Sequence, residues 1–242
     1  MKIDLTDCTF LIPYKYDHSD RAENMELCRE YIDKHFDTNV IVEVETGLFH
    51  RTKMINKMAL KAKTPIIINY DCDVFINPLQ INVAVNMIRR GYDMVFPYDG
   101  RFARVPREWY PKLKRTLDVS IFGNKQFTGM GAQSQPKVGG CIVHNRQTFI
   151  EAGGENEKFI SWGHEDRERY HRFKTLGYKV DRVQGVLYHL GHHMSIDSSP
   201  ENPYYCDNAK EYRAVKNMTK EQLKQYVWQI SSLAELSSTQ RA

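Results

Sequence analysis

The segment 64–76, TPIIINYDCDVFI, constrains the fold of this chain more than any other stretch. Its run IIINY shows no polar alternation, so it predicts a strand buried on both faces, as strands of a parallel sheet are. Parallel strands need helical crossovers, and the flanking sequence supplies them. CTFLIP (8–13) is a short apolar run ended by proline, and AENMELCREYIDKHF (22–36) has helical periodicity with Met25, Cys28, Tyr31 and Ile32 on one face. VIVEVE (40–45) is strand-like and LFHRTKMINKMALKA (48–62) helix-like. PLQINVAVNMIRRG (78–91) carries Pro near its start and Gly at its end, as helices do, and YDMVFPY (92–98) follows as a strand. This alternation predicts an α/β fold with a doubly wound sheet flanked by helices.

The second half is less regular. Residues 99–137 are polar and proline-punctuated, then rich in Gly, Gln and Ser, and read as irregular. Order returns with VGGCIVHN (138–145), a helix-like NRQTFIEAGG, the charged helix EDRERYHRFKTLG (165–177) and one or two strands in YKVDRVQGVLYHL (178–190). Residues 191–208 read as a loop by composition, and 208–235 as mostly helical. No linker composition separates these parts, so 242 residues form a single domain.

Composition excludes whole classes. With 41% hydrophobic residues the chain is too apolar to be disordered, and no run nears the roughly 18 apolar residues of a membrane helix. A net charge of +4 does not suggest nucleic acid, while 12% aromatic content with 14 Tyr suits a protein that handles sugars or bases. The five cysteines, Cys8, Cys28, Cys72, Cys141 and Cys206, form no CxxC and are odd in number, so they read as reduced, buried thiols. The N-terminal MKIDLTDCTFLIPYKYD lacks the pattern of a signal peptide. Together these predict a cytoplasmic protein.

Three constellations carry chemistry. Asp71 and Asp73 close the buried strand, where ligands of an open α/β sheet sit. Alternate residues of an extended strand point the same way, so the pair addresses one site; its carboxylates suit Mg²⁺ or Mn²⁺ bridging to a phosphate-bearing substrate. The plain alternative is a solvated turn. Trp162-Gly163-His164-Glu165-Asp166 opens the charged helix, whose dipole keeps carboxylates ionised and able to accept a hydroxyl proton. Acidic residues at helix starts also serve the dipole alone. Finally, His189, His192 and His193 cluster where a strand yields to a loop; His189 and His192 converge on one metal only if the chain turns at Gly191. An all-histidine zinc site and a chance cluster compete with that reading.

The run 138–166, GGC…F…AGG(E)NE.F..WGHED, resembles the β-1,4-galactosyltransferase-like glycosyltransferases. The chain is also similar to the polypeptide N-acetylgalactosaminyltransferase and chondroitin polymerase type of domain. IPY…R (12–21), FHRTKMIN (49–56) and YDCDVF (70–75) fall where this GT-A fold family places its nucleotide loop, a Phe-x-Arg helix and its Asp-x-Asp. The resemblance implies a Rossmann-like GT-A fold with a mixed, mainly parallel sheet flanked by helices, with a nucleotide-binding half in 1–98, a catalytic and acceptor half in 99–207 and a helical tail in 208–242. It makes Asp73, His192 and His189 metal ligands for Mn²⁺ or Mg²⁺, and has Asp71 meet the ribose. Pro13, Tyr14, Arg21, Phe49, Arg51 and Gly140 fall in the donor pocket. Trp162 becomes a mobile-loop tryptophan over the donor, Glu165 holds a sugar, and Asp166 is the general base. The chain departs from the pattern at His189, Cys72 and His164.

The activity this implies is transfer of a hexose (galactose, N-acetylgalactosamine or glucose) from a UDP-sugar to a hydroxyl of a glycan or glycolipid, with inversion. A retaining transferase, a nucleotidyltransferase and a non-catalytic sugar-binding protein compete; IPYKYDHSDR lacks the glycine-rich phosphate loop of the second. Segment 99–115 holds Arg101, Arg104, Arg107, Lys112, Lys114 and Arg115 against two acids, leaving 28 basic and 28 acidic residues elsewhere. Interleaved with Phe102, Trp109 and Tyr110, these cations predict a docking surface for an anionic acceptor or for lipid headgroups at the inner membrane face, against the simpler reading of a solvated segment.

Overall fold

The computed structural model describes residues 1–16, 20–123, 125–129, 135–193 and 196–233. Six strands form the main sheet: β1 (Ile3–Lys15), β2 (Phe36–Glu45), β3 (Ile66–Tyr70), β5 (Met94–Phe96), β7 (Cys141–Asn145) and β8 (Val180–Arg182), in the order β2-β1-β3-β7-β5-β8. Neighbours run parallel except around β7, which is antiparallel to both β3 and β5. The crossovers are α1 (Asp20–His35), α2 (Arg51–Lys61) and α3 (Pro78–Arg89), with α5 (Arg146–Glu151) and α6 (Glu165–Leu176) following β7. The α/β alternation is as the periodicity predicts, and β7 makes the sheet mixed, as the family resemblance implies.

β3 is buried along its whole length. Apolar side chains of β1, β3 and β7, among them Phe10, Ile67, Ile68 and Val143, meet Cys28, Tyr31 and Ile32 from α1 and Val85 from α3 in one core. Leu27 completes the buried face of α1, while Met25 is only half-buried. Four cysteines are buried free thiols as expected; Cys206 is exposed.

Four local expectations fail, each for a tertiary reason. The strand foreseen over 64–76 breaks in two, because its partner β7 starts at Cys141 opposite Tyr70. Just before, Gly140 turns with φ +80, and its carbonyl takes the Asp71 amide at 2.9 Å. The chain turns through Asp71-Cys72-Asp73 into β4 (Val74–Ile76), which joins a second sheet, β4-β9-β6, with β9 (Leu187–Leu190) and β6 (Phe102–Val105). Segment 99–115 therefore holds a strand and most of α4 (Tyr110–Thr116), not an irregular loop. Residues 191–208, foreseen as a loop, include a 3₁₀ turn at Ile196–Ser198 and the start of α7 (Tyr205–Lys216); α8 (Lys220–Tyr226) follows. Pro13 does not end β1 either: beyond Leu11 the strand pairs with β2 alone, and a proline is tolerated beside one unpaired edge.

One buried group has no use in the sheet. His144 of β7 is fully buried against Phe149 and Phe173, with ring centroids at 4.9 and 5.5 Å, and neither ring nitrogen has a described hydrogen-bond partner. Burial, with Arg169 and Arg172 nearby, holds its imidazole well below the ordinary 6.5. The unfolded chain therefore binds a proton below pH 6.5 that the folded chain rejects, so this contribution to stability is present above 6.5 and lost as pH falls. Relative to His144→Phe, the wild-type protein is expected to lose about 1.4 kcal/mol between pH 8 and pH 5.5 in urea titrations. Parallel pH curves for the two proteins would show that His144 is not held neutral.

Candidate functional site

A cleft of about 870 Å³ lies beyond the carboxyl end of β3, between the main sheet, the small sheet and the start of α6. Its position follows from the break in the 64–76 strand. Asp71 stays with the main sheet and Asp73 with the small one, so the two carboxylates take different partners.

Asp73 faces two imidazoles. Antiparallel pairing sets Val74 opposite His189, and the Leu190 amide donates to the Asp73 carbonyl at 2.8 Å. His189 Nε2 and His192 Nε2 lie 3.5 and 3.3 Å from Asp73 Oδ2. One ligand atom from each of the three falls within 4.8 Å of the others. Burial works against the Asp73 carboxylate, but His189 and His192 outweigh it and hold its pKa below the usual range. The histidines converge as foreseen, though by a different device. Gly191 does not adopt left-handed backbone; its amide donates to the Tyr110 hydroxyl, which donates in turn to the Gly191 carbonyl at 3.3 Å. One carboxylate and two imidazoles on a cleft wall form a three-ligand set that leaves positions for a substrate.

Asp71 faces Arg51. Buried at the start of α2, Arg51 donates to Asp71 Oδ1 from Nε at 3.2 Å and Nη2 at 2.9 Å, while Nη1 lies 3.7 Å from Asp166 Oδ1. Asp166 Oδ1 also accepts from Arg169 Nη2 at 2.7 Å. Arg169 is fully buried and pairs with the buried Glu155, which also accepts from Asn69 Nδ2 of β3 at 3.1 Å. Two guanidiniums thus hold one oxygen of Asp166. The other packs on Gly139, where a Cβ would come within 2.2 Å of Oδ2. The adjacent glycines have separate tasks: Gly139 admits Asp166, and Gly140 makes the turn between the sheets.

Glu165 departs from expectation. It is buried in the first turn of α6, accepting the Gly163 amide at 2.9 Å, but the helix start does not keep it ionised. Burial, then the like charge of Asp166, pushes its carboxyl up to about 7.

Ser161 and His164 have φ of 60° and 69°, and Gly163 has 130°, a rare backbone for non-glycine residues. The loop they shape presents Trp162, 43% exposed, stacked on Tyr205 of α7 at 5.8 Å. His164 stacks on Tyr212 at 5.5 Å. These rings form an aromatic wall facing the carboxylates.

Most residues foreseen for the site line this cleft: Pro13, Arg21, Phe49, Arg51, Asp71, Asp73, Gly140, Trp162, Glu165, Asp166, His189 and His192. Tyr14 does not, because a strand alternates faces and the neighbour of Pro13 turns inward to burial. Of the six cations of the basic segment Arg104 lines the cleft, together with Phe102 from the same strand. Arg101 pairs with Asp99, Arg107 with Asp20 and Lys114 with Glu26. Lys112 lies over Trp109, which packs on Phe122 and Phe127, and Arg115 is exposed. Half of the six cations thus have a carboxylate of this chain as partner. Sequence reasoning missed Arg169, Glu155, Tyr205, Tyr212 and Arg182; the odd presence of Arg169 on the apolar side of a charged helix was the one readable signal.

Residues 125–195 match the family model for the N-terminal domain of galactosyltransferase. No curated protein matches the chain by sequence. Among solved structures, the chain is similar to the catalytic domain of Drosophila β1,4-galactosyltransferase 7 in complex with xylobiose. Identity is 17%, over 88% of this chain and 81% of that one, with a TM-score of 0.53. It is also similar to a mannosyltransferase from Pyrobaculum calidifontis in complex with GDP-Man and Mn²⁺, at 14% identity over 98% and 75% of the chains, with a TM-score of 0.51. The fold is that of the GT-A glycosyltransferases, and the chain is galactosyltransferase-like over the matched segment. Among the described residues no helix is long and apolar enough to cross a membrane.

The Arg169–Glu155 pair gives the site its rigidity. Glu155→Ala removes the buried counter-charge of Arg169, leaving it the partly exposed Asp166 as carboxylate partner, and is expected to cost about 3–5 kcal/mol in urea denaturation. A loss under about 1 kcal/mol would mean that water or Asp166 alone satisfies Arg169.

Proposed function

We propose that this protein is an inverting, metal-dependent glycosyltransferase that moves a hexose from a UDP-sugar to a hydroxyl of a glycan or glycolipid. One observation carries the reading: Arg51 links Asp71, beside the Asp73–His189–His192 cluster, to Asp166 across a single cleft. The galactosyltransferase match over 125–195 supports it.

Asp73, His189 and His192 would hold the metal, which when bound supplies Lewis-acid neutralisation of the departing diphosphate. Two imidazoles beside one carboxylate favour Mn²⁺ over Mg²⁺, which takes oxygen ligands, and the archaeal mannosyltransferase is bound to Mn²⁺. Pro13, Arg21, Phe49 and Arg51 line the nucleotide end, with Asp71 near the ribose. Trp162 closes over the donor and excludes water. Asp166 accepts the proton of the attacking hydroxyl on Oδ2, since Oδ1 is occupied by Arg51 and Arg169. The free thiols support a reducing, cytoplasmic setting. The membrane-facing part of 99–115 reduces to Lys112 and Arg115, with Arg104 turned to the cleft.

Asp73→Ala is expected to abolish Mn²⁺-dependent UDP binding in calorimetry; undiminished binding would sink the metal assignment. Asp166→Asn should lower transfer by about 10²–10⁴-fold with UDP and Mn²⁺ binding intact, and loss of binding would refute its role as base. The raised pKa of Glu165 favours a second reading in which Glu165 takes the proton. An activity limb near pH 7 that vanishes in Glu165→Gln would decide for it; a flat neutral profile decides for Asp166. NMR of the product anomer separates inversion from retention.

A further inference from the structure

The far end of the cleft carries cations that the donor chemistry does not use. Contacts run from Asp73 and Asp71 through Arg51 to Asp166. The lining also includes Arg167, Tyr170 and His171, on the same helix as Asp166, together with Lys137, Arg182, Tyr205 and Tyr212. Arg51 and Arg169 are taken up by Asp71, Asp166 and Glu155. Lys137, Arg167 and Arg182 are different: no described carboxylate accepts a hydrogen bond from their side chains or pairs with them. Arg182 donates to the Lys137 carbonyl at 2.9 Å and lies over Phe96 at 4.3 Å, with Tyr98 and Tyr170 each at 5.9 Å, so its guanidinium is fixed in place. Arg167 is exposed on the α6 turn that carries Asp166.

Resting on the transferase reading, we propose that this end is the acceptor subsite and that the acceptor is an anionic saccharide, a uronic acid or a phosphorylated sugar. The rings give the sugar a face to stack on, and guanidiniums bind carboxylate or phosphate oxygens through paired N–H donors. An anionic acceptor would meet three cations of the cleft lining that have no described carboxylate partner, whereas a neutral one would leave them to solvent. The anion lands beside Asp166 instead of on the 99–115 surface, which spends half its cations on acids of its own chain.

The test is calorimetry of the whole chain with Mn²⁺ and UDP present. The probes are p-nitrophenyl β-glucuronide, glucose 6-phosphate and the uncharged p-nitrophenyl β-glucoside. One anionic sugar should bind about tenfold more tightly than the glucoside, the worth of one charge-assisted hydrogen bond, and the two arms separate carboxylate from phosphate. That preference should weaken with salt. The exposed pair Lys137→Gln with Arg167→Gln should bring the preference to within about twofold while UDP–Mn²⁺ binding is kept. Arg182 is left intact because its ring contacts serve folding. Equal binding of all probes, or a preference that survives the double substitution, overturns the acceptor class alone. Failure of the wild-type protein to bind UDP with Mn²⁺ overturns the transferase reading and this assignment with it.

Discussion

Arg51 is the charge on which the cleft depends. Asp71 and Asp166 approach the same wall from β3 and α6, and two carboxylates so placed repel each other and resist burial. A single buried guanidinium reaches both, and Arg169 braces Asp166 from behind with Glu155 as its counter-charge. The arrangement ties α2, β3 and α6 together at one point. Glu165, next in the chain to Asp166, is buried beside that like charge, and its carboxyl rises although Arg51 acts to lower it.

The second constraint is the seam between the sheets. β3 and β7 part at Tyr70 and Gly140, and from there the chain enters a small sheet whose middle strand delivers His189. Backbone pairing, a short-range and directional interaction, therefore brings His189 to Asp73, and the chain just past β9 brings His192. A Cβ at Gly140 would meet Leu187, Phe102 and Val74, all from the small sheet, so this glycine fills a packing role as well as a turn.

Much of this was legible from the chain alone. The apolar run at 66–70, the amphipathic helices and the order of the Asp-x-Asp, Trp-Gly-His-Glu-Asp and histidine motifs lead to the observed fold class and to most of the cleft lining. Periodicity misled where strands were short or polar: β6 has four residues inside a basic segment, and its pairing with β9 spans some 85 positions. Tyr14 misled because adjacency in sequence means opposition in a strand. Arg182 and Tyr205 escaped notice because nothing local distinguishes them from other surface arginines and tyrosines.

By itself, the sequence determined the alternation of buried strands and crossover helices, since apolar spacing dictates which face each element must hide. It also determined which ionisable side chains lie close along the chain. Only the tertiary structure decided how they pair. Asp71 and Asp73, two residues apart, serve different partners, while Asp71 and Asp166, nearly a hundred residues apart, share Arg51. Electrostatic partnership depends on distances of 3–4 Å and on what excludes water, and both are properties of packing across elements that no local pattern encodes.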